Sequence, residues 1–267
     1  MSFNFENIGK QIAIIEGGKF NGKKVSVGTP GEEEAVKNYT MIPIKDGKFQ
    51  QTPNPKSERE ILYITGPSGS GKSTYTLNYC KQFKKTKKKA DIYLFSALKE
   101  DETLDKIKTK RMNIDDSLIS NPIDVEEFKN SLVIFDDIDV ITNKDHREAV
   151  YSVLNQILEV GRHHKIFCIV TNHLPTGGQD TRRIINESQS VTYFPQSGSA
   201  GQMKRLLQDY LGLDNKTLKD IRKMNTRWAT VFKNFPMAVM TERNVFSLNP
   251  DDDSEEEEIG DKKNYKK

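Results

Sequence analysis

The chain has 267 residues, 30% charged and 35% apolar, with a formal net charge of +3. Residues 250–267 hold eight acids and four lysines, so the rest of the chain carries about +7. That bias hints at a polyanionic partner, and a solvated lysine-rich surface explains it equally well. Cys80 and Cys168 stand apart in apolar contexts, which excludes a disulfide framework and a zinc site. No apolar run approaches the roughly 20 residues that span a bilayer, and the first ten residues lack a signal-peptide core. The expected location is the cytosol or nucleus, or a particle assembled there.

Residues 1–58 read as an accessory region. "QIAIIEGGKFNGKKVSVG" (11–28) places two β-prone runs around a Gly/Asn-rich turn and predicts a hairpin. "TPGEEEAVKNYT" follows, then a short apolar "MIPI", then a Pro-rich polar linker over 50–60. From 59 to 248 the pattern predicts one larger domain. Its strands are "ILYIT" (61–65), "IYLFS" (92–96), "LVIFD" (132–136), "IFCIVT" (166–171) and "SVTYF" (190–194). They are apolar almost throughout, as strands covered on both faces must be. Helices are expected near 73–85, 102–111, 123–129, 146–162 and 180–187, so the class is α/β with a doubly wound, mainly parallel sheet. Two further helices after 200 and a hairpin over 228–240, turning at Phe235-Pro236, complete the domain. Residues 249–267, with "DDDSEEEE", read as a disordered acidic tail.

Gly66 to Ser73 has the spacing G-x-x-x-x-G-K-S between a strand and a helix. This is the P-loop context in which backbone N–H groups cradle phosphate. The predicted nucleotide contacts are Gly66, Pro67, Ser68, Gly69, Ser70, Gly71, Lys72, Ser73 and Thr74. Lys72 is placed to reach the β- and γ-phosphates of ATP and Ser73 to ligate Mg²⁺. "LVIFDDID" then carries two carboxylates to a strand tip. Asp136 is expected in the Mg²⁺ shell, Asp137 as the group that polarises the attacking water, and Asp139 in support or as a cap. "IFCIVT" ends at Thr171-Asn172-His173, and Asn172 is the candidate γ-phosphate sensor, with His173 second.

"GPSGSGKST", "IYLFSALKEDETLDKI", "LVIFDDID" and "GRHHKIFCIVTNH…TRRIINES" together resemble the FtsK–HerA superfamily of P-loop NTPases, and most of all its poxvirus-type genome-packaging ATPases of large DNA viruses. The resemblance covers about half the chain. Such ATPases usually carry Gln where this chain has Asn172-His173, and more often Glu where it has Asp137. The resemblance implies an additional strand between the phosphate-loop and acidic strands, in the order 190s–61–166–132–92. It implies Mg²⁺-dependent ATP hydrolysis by a homo-oligomeric ring that moves double-stranded DNA, with a capsid protein as a further partner and no membrane. Residence in host cytoplasm, a viral factory or the virion follows. It also implies an arginine acting on a neighbouring subunit's nucleotide, for which Arg162, Arg182 and Arg183 are candidates, Arg162 first. Alternatives are an AAA+-type helicase or loader, a small-molecule kinase, or an ATP-binding assembly protein. The lysine run over 81–91 fits a DNA-facing patch or a solvated helix end.

Overall fold

The strands that lack a polar face all lie in one sheet, and their order decides what meets at its edge. The computed structural model describes residues 2–28, 40–234 and 236–248. In chain order the strands and helices are β1 (Ser2–Asn4), β2 (Lys10–Glu16), β3 (Lys24–Gly28), β4 (Met41–Pro43), β5 (Lys48–Gln51), β6 (Ile61–Thr65), α1 (Lys72–Thr86), β7 (Ile92–Ser96), β8 (Lys110–Met112), α2 (Asp116–Ser120), β9 (Leu132–Asp136), α3 (Lys144–Val160), β10 (Phe167–Asn172), α4 (Gly178–Glu187), β11 (Ser190–Tyr193), α5 (Ala200–Arg205), α6 (Asn215–Lys223), β12 (Ala229–Phe232), β13 (Ala238–Thr241) and β14 (Asn244–Ser247).

The large sheet runs β4-β14-β13-β12-β11-β6-β10-β9-β7-β8. From β11 to β8 every pair is parallel, and from β4 to β11 every pair is antiparallel. The stretch β11-β6-β10-β9-β7 is the order expected from the resemblance, with β10 between the phosphate-loop strand and the acidic strand. Parallel strands point their carboxyl ends the same way, so the tips of β6, β9 and β10 share one edge, where ligands of open α/β sheets gather.

The two faces bury separate cores. One face carries α3, α4, α5 and α6 through Leu154, Ile157, Ile184, Met203 and Ile221. The other carries α1 through Tyr75, Tyr79 and Phe83, together with Phe3, Ile12, Ile15 and Phe49 of a four-stranded antiparallel sheet, β1-β3-β2-β5. The hairpin expected over 11–28 is β2–β3. Residues 41–43 of the accessory region pair with β14 and form an edge of the large sheet. Polar groups tie the pieces: the Tyr75 hydroxyl donates to Gln51 Oε1 at 2.6 Å, and Gln51 Nε2 donates to Ser190 Oγ at 3.0 Å.

Three expectations change. The helix predicted over 102–111 is a single 3₁₀ turn at Leu104–Lys106 followed by β8, so β7 is not the sheet edge. Asp101 accepts the Thr103 and Leu104 N–H groups and closes a turn there, and Arg111 bonds Asp105 and the Leu98 carbonyl, folding the segment back. Residues 125–128 form a 3₁₀ turn where a helix was expected. The linker expected to begin at residue 50 starts two residues later, because Gln50 and Gln51 pair with β2. The hairpin at 228–240 is β12–β13. Its Phe235, the segment 29–39 and the acidic tail lie outside the described residues.

Candidate functional site

At the carboxyl edge, β6 enters a tight loop that opens α1. Gly71 caps the helix with φ 112°, a left-handed backbone that side chains rarely adopt. Gly66 is held to glycine by space: a Cβ there would lie 2.7 Å from Ser70 Oγ and 2.8 Å from the Phe194 ring. The loop is thus wrapped on Phe194, at the tip of β11. Ser70 Oγ is buried without a hydrogen-bond partner among the described residues. Ser73 is partly buried and Thr74 exposed on the first turn of α1.

Lys72, 6% exposed, donates to the Gly66 carbonyl at 3.0 Å and stands 3.4 Å from Asp137 Oδ1. That contact joins the phosphate loop to the acidic strand tip across the intervening β10. Asp136 and Asp137 are held from β10 by one hydroxyl. Thr171 Oγ1 lies 2.9 Å from Asp136 Oδ1 and 3.1 Å from Asp137 Oδ1, and it accepts the Asp137 N–H at 2.9 Å. Ser96 Oγ, paired in register with Asp136, donates to its other oxygen at 3.3 Å. Asp137 turns out of the sheet with φ 48°, a left-handed geometry aspartate tolerates. Its second oxygen lies 2.8 Å from His173 Nε2. Asp139 accepts the His173 and Leu174 N–H groups and so braces the same loop.

Burial, and then the neighbouring Asp137, push the Asp136 carboxyl up to about 6. A buried carboxyl beside a second one is an arrangement that a cation stabilises. Among the described residues no group of three or more His, Cys, Asp or Glu gathers to enclose a metal. A Mg²⁺ ion here would take the rest of its shell from phosphate and water, as Mg²⁺ commonly does. With an open loop of backbone amides, an orphaned Ser70 hydroxyl, Lys72 and Asp136 around one cleft, the residues fit a magnesium triphosphate.

Two sequence-derived assignments do not converge on this cleft. Asn172 is fully buried, and neither atom of its amide has a hydrogen-bond partner among the described residues. Side chains alternate along a strand. Thr171 shares the face of Ile169, toward α1 and the carboxylates, so Asn172 turns to the opposite face with Val170. Thr171 and Ser96, not Asn172, touch Asp136. Arg162 is exposed in the turn before β10, at the amino edge. The six residues of β10 put it roughly 20 Å from this chain's own cleft. Arg183 is paired with Glu159, and Arg182 is exposed on α4.

No protein-family model matches the sequence. The chain is 40% identical over 247 residues to the uncharacterized protein V3 of Sputnik virophage, covering 92% of this chain and 98% of that protein. Among solved structures it is similar to the cytoplasmic domain of the type VII secretion ATPase EccC of Thermomonospora curvata. The TM-score is 0.50 and the identity 12%, over 76% of this chain and 28% of that one. The genome packaging NTPase B204 of Sulfolobus turreted icosahedral virus 2, solved with ATP-gammaS, matches with TM-score 0.48 and 12% identity over 70% of this chain and 97% of its own. At such identities the likeness to EccC establishes the fold alone.

Proposed function

The chain belongs to the family of the Sputnik virophage protein V3 and has the P-loop NTPase fold of FtsK–HerA type, and from this we propose that it hydrolyses ATP to drive viral double-stranded DNA into a capsid. The observation that carries the enzymatic part is the 3.4 Å approach of Lys72 to Asp137. It supports reading Lys72 as the cation that binds phosphate and Asp137 as the base facing it across one cleft. The choice of DNA packaging rests on the four sequence stretches that resemble packaging ATPases, and on membership of a virophage family.

In this reading the loop from Gly66 to Gly71 binds phosphate through its backbone, and Lys72 neutralises the β- and γ-phosphates. Ser73 and Asp136 hold Mg²⁺, which when bound neutralises charge building on the phosphate oxygens. Asp137 orients and deprotonates the attacking water, held in place by Thr171 and His173. A homo-oligomeric ring with Arg162 reaching a neighbouring subunit's cleft agrees with the exposure of that side chain at the opposite edge. After α6 the chain returns to three antiparallel strands that extend the sheet, where an AAA+ protein would place a helical lid. No helix among the described residues is long and apolar enough to cross a membrane.

The test is an ATPase assay with and without double-stranded DNA on full-length protein of measured oligomeric state, beside Asp137→Asn. We expect Mg²⁺-dependent turnover that DNA stimulates in a ring. The variant should keep nucleotide binding and lose about 10²–10⁴-fold in rate. A monomer whose turnover ignores DNA would overturn the packaging reading, and unaltered turnover in Asp137→Asn would overturn the assignment of the base.

A further inference from the structure

The amino edge of the large sheet, opposite the nucleotide cleft, gathers an excess of cations that the fold does not use. Segments ending at residues 60, 91, 131 and 166 all arrive at this edge, because they feed the amino ends of the parallel strands β6, β7, β9 and β10. The segment 81–91 alone carries six lysines and one acid, Asp91.

Some of these cations have structural work. Lys84 donates to the Lys88 and Ala90 carbonyls and so closes the end of α1. Lys87 donates to the Ser57 carbonyl and covers the Phe167 ring at 5.6 Å. Lys110 binds Asp91 at 2.7 Å, and Lys165 binds Glu58 at 2.6 Å. These pairs consume the acids nearest the end of α1. Glu126 and Glu127 lie further along the edge, on the approach to β9.

The remaining cations are Lys81, Lys85, Lys88, Lys89 and Lys129. All are exposed, and none makes an ion pair or side-chain hydrogen bond among the described residues. Capping a helix end calls for about half a unit of positive charge, and Lys84 already supplies it. Glu58 at this edge is already bound by Lys165. The surplus therefore clusters at the end of α1, with Lys129 on the approach to β9 at the same edge.

We propose that this amino-edge patch is a docking surface for the phosphate backbone of duplex nucleic acid. Exposed lysines on flexible stems neutralise phosphates without reading bases. The placement gives α1 a charged ligand at each end. Lys72 and the phosphate loop stand at its start and the lysine cluster at its end, about 22 Å apart for 15 residues. The choice of nucleic acid among polyanions rests on the packaging reading; the patch itself does not.

The experiment measures binding of a fluorescent duplex of about 20 base pairs to full-length protein over a range of salt, without nucleotide. The test variant combines Lys81→Glu, Lys85→Glu, Lys88→Glu and Lys89→Glu. A control, Lys216→Glu with Lys219→Glu, changes exposed lysines of α6. The patch variant should weaken binding about 10²-fold or more near physiological salt and flatten the log–log salt slope by about 3. The control should change neither. Basal ATP turnover should persist in the patch variant, which shows that it folds, while DNA stimulation disappears. An unchanged affinity and slope in the patch variant overturns the surface. So does an equal loss in the control, and so does binding of poly-glutamate in place of DNA. If wild-type protein shows no turnover while the patch variant still loses DNA, the surface stands and the ATPase reading falls; thermal unfolding then reports the fold.

Discussion

The Lys72 ammonium lies between two oxygens that belong to different walls of the cleft: the Gly66 carbonyl at 3.0 Å and Asp137 Oδ1 at 3.4 Å. In the proposed function a nucleotide's phosphates would compete with Asp137 for the same cation. Removing the two partners should therefore have opposite effects on binding. Lys72→Met should weaken ATP binding roughly 10–150-fold, the worth of a charge-assisted hydrogen bond. Asp137→Asn should bind ATP as well as wild type or better. Titration of a fluorescent ATP analogue into both variants decides this, and equal weakening in both would refute the competition.

Thr171 is a single hydroxyl that serves two carboxylates and one N–H. Valine has nearly the same shape and none of that capacity. Thr171→Val should lower kcat about 10²-fold while KM moves little, and should cost about 1–3 kcal/mol of stability by leaving the buried Asp136 short of a donor. Thr171→Ser should restore most of the rate. A Val variant that hydrolyses like wild type would remove Thr171 from the site.

His173 orients Asp137 through a 2.8 Å contact, and its own backbone is anchored on Asp139. His173→Ala should lower kcat by about tenfold or more without weakening ATP binding, and His173→Gln, which keeps a donor, should recover part of the loss. A change confined to ATP affinity would assign His173 to binding instead.

Glu60 sits buried just before β6, accepting from the Asn54 N–H at 2.9 Å and the Tyr79 hydroxyl at 3.1 Å. Burial raises its carboxyl above the ordinary glutamate value, against the pull of those bonds and of Lys10 and Lys87. The folded state therefore holds this proton more tightly than the unfolded chain. Below the unfolded-state value both states are protonated and nothing is lost. Stability falls as pH rises from there through the folded-state value. Glu60→Gln removes this titration: its Oε1 can still accept from the Asn54 N–H, and its Nε2 would donate to the Tyr79 hydroxyl oxygen, reversing that bond. Its melting temperature should gain on wild type progressively as pH rises above the ordinary glutamate value. Parallel Tm–pH curves for the two proteins would show that Glu60 is ionised normally.

Much of the fold and half of the site can be read from local pattern. The glycine spacing before Lys72 declares itself because backbone curvature around phosphate needs residues without side chains at fixed positions. The acidic pair stands out because carboxylates rarely end so apolar a run. The misreadings share a physical origin. β10 is buried on both faces, so it shows no polar alternation, and parity cannot be read from its sequence. Choosing Thr171 over Asn172 requires knowing which face looks toward α1. The segment 102–111 has helical composition, but only Leu104 is buried along its 3₁₀ turn, and the turn that Asp101 closes wins over a helix with no apolar face to bury.

By itself the sequence determined the local chemistry of this protein: a phosphate loop, a carboxylate pair, alternating strands and helices, and a lysine-rich helix end. These depend on neighbours within a few residues. Tertiary structure alone decided that Thr171 and Ser96 reach Asp136 from the flanking strands, and that Arg162 lies an entire strand away from Lys72. Those relations depend on strand order and side-chain parity, which arise from burying both faces of one sheet at once.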